Sequence, residues 1–86
     1  MEWQDISDED GEQYRFRIPD VILADLMHFE YEDWHDPVNY WRLCLAGHTM
    51  AGKFITNDQE LKEPATAEAA KAWAQPLVEQ FGATLS

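Results

Sequence analysis

Positive charge is scarce in this chain. Six Lys/Arg stand against seventeen Asp/Glu, leaving a formal charge of −11. A protein so poor in cations has no basic groove to hold a phosphate backbone, which argues against direct binding to nucleic acid or to an anionic membrane. Cysteine is represented by Cys44 alone, so no intramolecular disulfide can form and a reducing cytoplasm is the expected setting. No stretch approaches the ~20 apolar residues that span a bilayer. The segment MEWQDISDEDGE is acidic and lacks the apolar core of a signal peptide. Glycine numbers only four. There is no G-x-G-x-x-G, no phosphate loop, no H-E-x-x-H and no G-x-S-x-G. The Gly-Lys pair in MAGKF lacks both the earlier glycine and the following Ser/Thr of a phosphate loop. These absences favour a protein that is not an enzyme and needs no cofactor.

What remains is enough to fold. Hydrophobic residues make up 45%, with four Trp, four Phe and three Tyr, which separates the chain from disordered acidic tails. Its 86 residues form one small domain, 1–86, with a modest core. The charge is uneven: residues 1–43 hold twelve carboxylates and three Arg, whereas 44–86 hold five carboxylates and three Lys. A strongly acidic half attracts basic surfaces through its field. The competing reading is that acidity serves solubility only.

Along the chain, Ser7–Glu12 reads as a turn with Asp10-Gly11 as a hairpin signal. Tyr14, Phe16 and Ile18 alternate with Arg15 and Arg17, the period of a half-buried strand ended by Pro19. The two Arg are expected to neutralise the acidic turn. Residues 20–27 are ambiguous: Asp20 can cap a short helix, while alternation favours a strand over roughly 27–34. Trp34-His35-Asp36-Pro37 makes the next connection, since Pro37 biases Asp36 away from helix. Val38–Ala46 reads as a strand with Trp41, Leu43 and Leu45 on one face, and Gly47-His48 as a turn. Met50–Thr56 is its hairpin partner, and NDQELKEP a polar loop. A helix follows in TAEAAKAWAQPLVEQFG. Thr66 is its N-cap, Glu68 sits at the positive end of the dipole, and Gly82 is the C′ residue. Its apolar stripe runs through Ala69, Trp73, Leu77 and Phe81, with Ala70, Ala74 and Val78 beside it, and Pro76 interrupts the backbone ladder. The class is α+β: a small antiparallel sheet of three to four strands with a C-terminal helix on one face, and a short helix near 20–27 as an option.

His28, His35, Cys44 and His48 are the candidate metal ligands, but only Cys44-x3-His48 has ligand-like spacing, and no metal is expected. Cys44, in mid-strand within an acidic field, reads as a packed side chain and not a nucleophile.

The stretch HFEYEDWHD, residues 28–36, sets four carboxylates among three aromatic rings. On a strand, Glu30 and Glu32 share a face at roughly 6.6 Å spacing, twice the rise per residue, and Asp33 and Asp36 extend the charge. Asp8, Glu9 and Asp10, with Asp5 and Glu12 nearby, form a second cluster. Fixed carboxylates at such spacing can stand in for phosphates in a protein's Lys/Arg groove. Trp34 is the apolar anchor of this surface, while Phe29 is expected to turn into the core.

The strand–hairpin–helix tail YWRLCLAGHTMAGKFITN…TAEAAKAWAQPLVEQFG, with the size and acidity of the chain, resembles small phage-encoded proteins, among them anti-CRISPR inhibitors. Some of these mimic DNA to block a surveillance complex. They share no common fold or fixed residues, so no site carries over by position. The resemblance implies a non-catalytic inhibitor in the host cytoplasm whose partner is a basic nucleic-acid-binding protein or complex. The alternative is a cytosolic accessory subunit that binds through exposed aromatics. An open sheet edge and Trp34 also make a homodimer possible.

Overall fold

Five antiparallel strands and one helix make up the computed structural model, which describes residues 2–9, 11–18, 21–32, 34, 37–63 and 65–85, without the side chains of 31, 32 and 37. The strands are β1 (Gln4–Asp5), β2 (Gln13–Ile18), β3 (Ile22–Glu32), β4 (Pro37–His48) and β5 (Phe54–Leu61), followed by α1 (Ala67–Leu85). They pair in chain order as an open meander, β1-β2-β3-β4-β5. This is the expected α+β class, with a larger sheet than the three to four strands read from the sequence.

Register assigns the faces. Tyr14 pairs with Leu26, Leu26 with Leu43, Ala24 with Leu45 and His28 with Trp41. Alternation therefore places Tyr14, Ile22, Ala24, Leu26, Trp41, Leu43 and Leu45 on one face, all buried. Helix α1 covers that face with Ala70, Ala74, Val78, Phe81 and Leu85, leaving Trp73 and Leu77 half-buried at the margin. Ala69 is exposed, so the buried stripe lies one position round from the one the sequence suggested. Thr66 caps the helix as expected: its carbonyl accepts from Ala70 N–H at 2.9 Å and its Oγ1 from Ala69 N–H at 3.2 Å. Pro76 lies inside the helix on an exposed position.

Four boundaries differ from expectation. Residues 22–26 are strand, not helix, because β3 is paired along its whole length by β4. β4 runs on through Gly47 and His48, and the turn falls at Thr49–Lys53 instead. There Gly52, with φ of 84°, occupies a conformation that suits glycine, and Thr49 N–H donates to Lys53 O at 2.9 Å. β5 consequently begins at Phe54 and takes in most of the segment read as a polar loop; as an edge strand it tolerates Asn57, Asp58 and Glu60. Gly82 is helical and half-buried, not a C′ residue; a Cβ there would lie 3.2 Å from Ile22 Cδ1, so the helix continues at a close approach to the sheet.

Among the described residues, no helix lies over the second sheet face. This face carries Leu23, Met27, Phe29, Tyr40, Cys44 and Ala46, all half-buried, and the ion pairs Arg15–Asp25 at 2.8 Å and Arg42–Asp58 at 3.0 Å. Arg15 thus serves a cross-strand partner and not the acidic turn. Phe29 also belongs to this open face, stacked on Tyr40 with ring centroids 5.1 Å apart, and is not in the helix-covered core. Among the described residues, no helix is long and apolar enough to cross a membrane.

Candidate functional site: an acidic end of the sheet

The loop between β1 and β2 is tied to both neighbours. Ser7 N–H donates to Asp5 Oδ1 at 2.9 Å, and Gln13 N–H donates to Ser7 Oγ at 3.0 Å. The Ser7 bonds hold the Asp5 carboxyl below the ordinary carboxylate range. Asp8 and Gly11 exchange backbone bonds at 3.1 and 3.3 Å, closing the turn. Glu12 O then accepts from His28 N–H at 3.0 Å, which seats the loop against β3. A Cβ at Gly11 would stand 3.2 Å from His28 O, a tight approach to backbone, and its φ of 153° suits glycine.

This docking brings two acidic segments together that are some twenty residues apart in sequence. β3 outruns β2 beyond His28, and the loop folds beside the bared edge. Asp8, Glu12 and Glu30 line a depression of about 280 Å³, with Met27 and Phe29 contributing its apolar part. No Lys or Arg is among its described lining residues. Below it, Tyr14 OH donates to Glu12 Oε2 at 3.0 Å. Burial, then the Glu12 carboxylate, push the Tyr14 phenol above its usual range. Lys71 Nζ lies over the Tyr14 ring at 3.9 Å from its centroid. His28 stacks on Trp41 at 4.6 Å and sets Nε2 within hydrogen-bond distance, 2.7 Å, of Asn39 Oδ1.

Of the residues picked from sequence, Asp8 and Glu30 meet at this depression, and Glu9 is exposed in the adjoining turn. Glu32 is the last residue of β3, in register with Pro37. Trp34 is 94% exposed at the bend between β3 and β4. Asp10, Asp33 and Asp36 lie outside the described residues. Glu12 belongs to the site as a rim carboxylate, which the sequence reading placed only nearby. Its alternation with Tyr14 was the available signal.

The metal candidates do not converge. Cys44 and His48 are four residues apart on one strand, about 13 Å by strand rise. His28 is on the opposite face, and His35 lies outside the described residues. Among the described residues no three His, Cys, Asp or Glu side chains are grouped to hold an ion. The Cys44 thiol is pushed up by burial and then by the Asp58 carboxylate, which disfavours thiolate.

No family model matches the chain, and no curated protein or solved structure matches it either.

Proposed function

We propose that this protein is a non-catalytic inhibitor that lays its acidic end into a basic, nucleic-acid-binding surface of a partner. The observation that carries this is the convergence of Asp8, Glu12 and Glu30 around one depression whose lining also takes in Met27 and Phe29. Such a site suits an incoming Lys or Arg: the aliphatic stem covers Met27 and Phe29 while the charged head meets carboxylates. Backbone pairing already holds the segments that carry these carboxylates, so binding orders less chain than it would for charges on a disordered tail. On this reading the partner is a complex of host defence, the chain is phage-encoded and anti-CRISPR-like, and it works in the host cytoplasm by standing in for DNA.

The exposed indole of Trp34 supports a second reading, an accessory subunit that binds through aromatics with acidity serving solubility. Charge reversal separates the two. The tagged protein and an Asp8→Lys, Glu30→Lys variant are each incubated with nuclease-treated host lysate, and duplex DNA is added as competitor. The proposal expects a nucleic-acid-binding partner that DNA displaces and the variant fails to retain. A partner held equally by the variant and indifferent to DNA removes the mimic and leaves the aromatic contact.

A further inference from the structure

At the other end of the sheet, about 23 Å along β3 from Glu30 to Leu23 by strand rise, the molecule has an open groove of contrary character. It measures about 370 Å³ and is lined by Ile18, Val21 and Leu23 from the β2 and β3 side and by His48 and Phe54 at the facing ends of β4 and β5. Val21 N–H donates to Ile18 O at 3.0 Å and His48 N–H to Val21 O at 3.1 Å, tying Val21 to the ends of β2 and β4. Large apolar side chains are exposed here: Ile18 and Val21 at 42% and Phe54 at 58%. Phe54 pairs with His48 in register, their rings 5.1 Å apart, and Leu23 and Ala46 join them in the lining.

Arg15 and Arg17 line the groove and no carboxylate is among its described lining residues, in a chain with seventeen acids. Arg15 is engaged by Asp25, its direct register partner. Arg17 is exposed beside Leu23 and makes no ion pair among the described residues. His48 adds an imidazole donor. A guanidinium beside exposed aromatic and branched aliphatic side chains fits a ligand with an anionic head and an apolar body. The volume is that of a small-molecule site.

We propose that this groove binds a small amphipathic organic anion, an aryl or short alkyl frame bearing a carboxylate or sulfonate. Arg17 takes the anionic head, and Leu23, Val21 and Phe54 cover the apolar body. The site is independent of the acidic end and of the function proposed for it.

The test titrates the isotope-labelled full chain with anilinonaphthalene sulfonate, and separately with its uncharged counterpart phenylnaphthylamine, following fluorescence and amide shifts. Saturable binding is expected, with shifts centred on Arg17, Leu23, His48 and Phe54. Arg17→Gln should weaken the sulfonate about tenfold, the scale of one charge-assisted hydrogen bond, and leave phenylnaphthylamine unchanged. Arg17→Lys, which keeps the charge, should retain most of the affinity, and an unchanged amide spectrum shows that both variants are folded. Equal sulfonate binding by Arg17→Gln, shifts centred elsewhere, or no saturation overturns the proposal. So do shifts of the same residues with protein concentration alone, which would assign the groove to a second copy of the chain.

Discussion

The Trp41 indole donates its Nε1–H to the carbonyl oxygen of Ala65 at 3.0 Å, joining the middle of β4 to the residue just before the cap of α1. Trp41 is 1% exposed and stacks on both His28 and Tyr14. The bond therefore anchors the start of the helix over the acidic end of the sheet. Trp41→Phe keeps most of the apolar volume but leaves the Ala65 carbonyl without this donor, and should cost about 1–3 kcal/mol. Trp41→Ala adds a cavity and should cost about 3–5 kcal/mol. Urea unfolding measures both; a loss in Trp41→Phe as large as in Trp41→Ala would show that the hydrogen bond dominates the packing.

Gly47 is a packing glycine. A Cβ there would sit 2.5 Å from Leu85 Cδ1 and 2.7 Å from the backbone oxygen of Val21, and the second neighbour has little freedom to move. Gly47→Ala should destabilise by about 1–3 kcal/mol, the scale of overpacking. Thermal unfolding checks it, with Gly52→Ala as a contrast: that site has open space but a φ of 84°, so its cost is conformational.

Pro76 occupies an exposed position inside α1 and leaves the Ala72 carbonyl without its helical donor. Pro76→Ala restores that bond and a strong helix former. It should raise stability by about 1–3 kcal/mol, bounded by proline's propensity deficit and reduced by the greater freedom of the unfolded chain. A variant no more stable than the parent would mean that the helix relies on a distortion at this point.

Cys44 titrates above the ordinary thiol range because burial, and next the Asp58 carboxylate, oppose its charge. Between the unfolded and folded values the native state binds the additional proton. The contribution to stability is thus fully present below the unfolded thiol value and is lost as pH rises through the folded one. Stability of the parent relative to Cys44→Ala should fall over that alkaline window and be flat at neutral pH. Iodoacetamide should label Cys44 slowly at neutral pH, with its rate rising above the usual thiol range. Rapid neutral labelling would contradict the packing described.

If the acidic end binds as proposed, through exposed charge, ions should screen that binding over about 8 Å at physiological strength. Affinity for the DNA-displaceable partner should fall steeply and linearly in log–log form with salt, as counterion release requires. A flat salt response, measured by titration calorimetry, would place the binding energy in apolar contacts.

Alternation alone was sufficient for the second strand and for the core face of the fourth: Tyr14 and the Trp41, Leu43, Leu45 series are buried where period two puts them. Thr66 and the alanine-rich run after it likewise carry their own helix start. These are local signals, decided by neighbours two to four residues apart. The extent of β3 was not local. Val21–Glu30 satisfies a helical and an extended pattern equally, and the pairing of Ile22 with Gly47 through Glu32 with Pro37 selects the strand. The same pairing turns Phe29 outward and His28 inward, the reverse of what its apolar character suggests, because one register position fixes every side chain on the strand. The acidity of both segments was plain from composition. That Asp8 and Glu30 border one depression depended on His28 N–H bonding to Glu12 O. A contact of that kind joins residues distant in the chain and leaves no period in the sequence, so only the folded sheet could decide it.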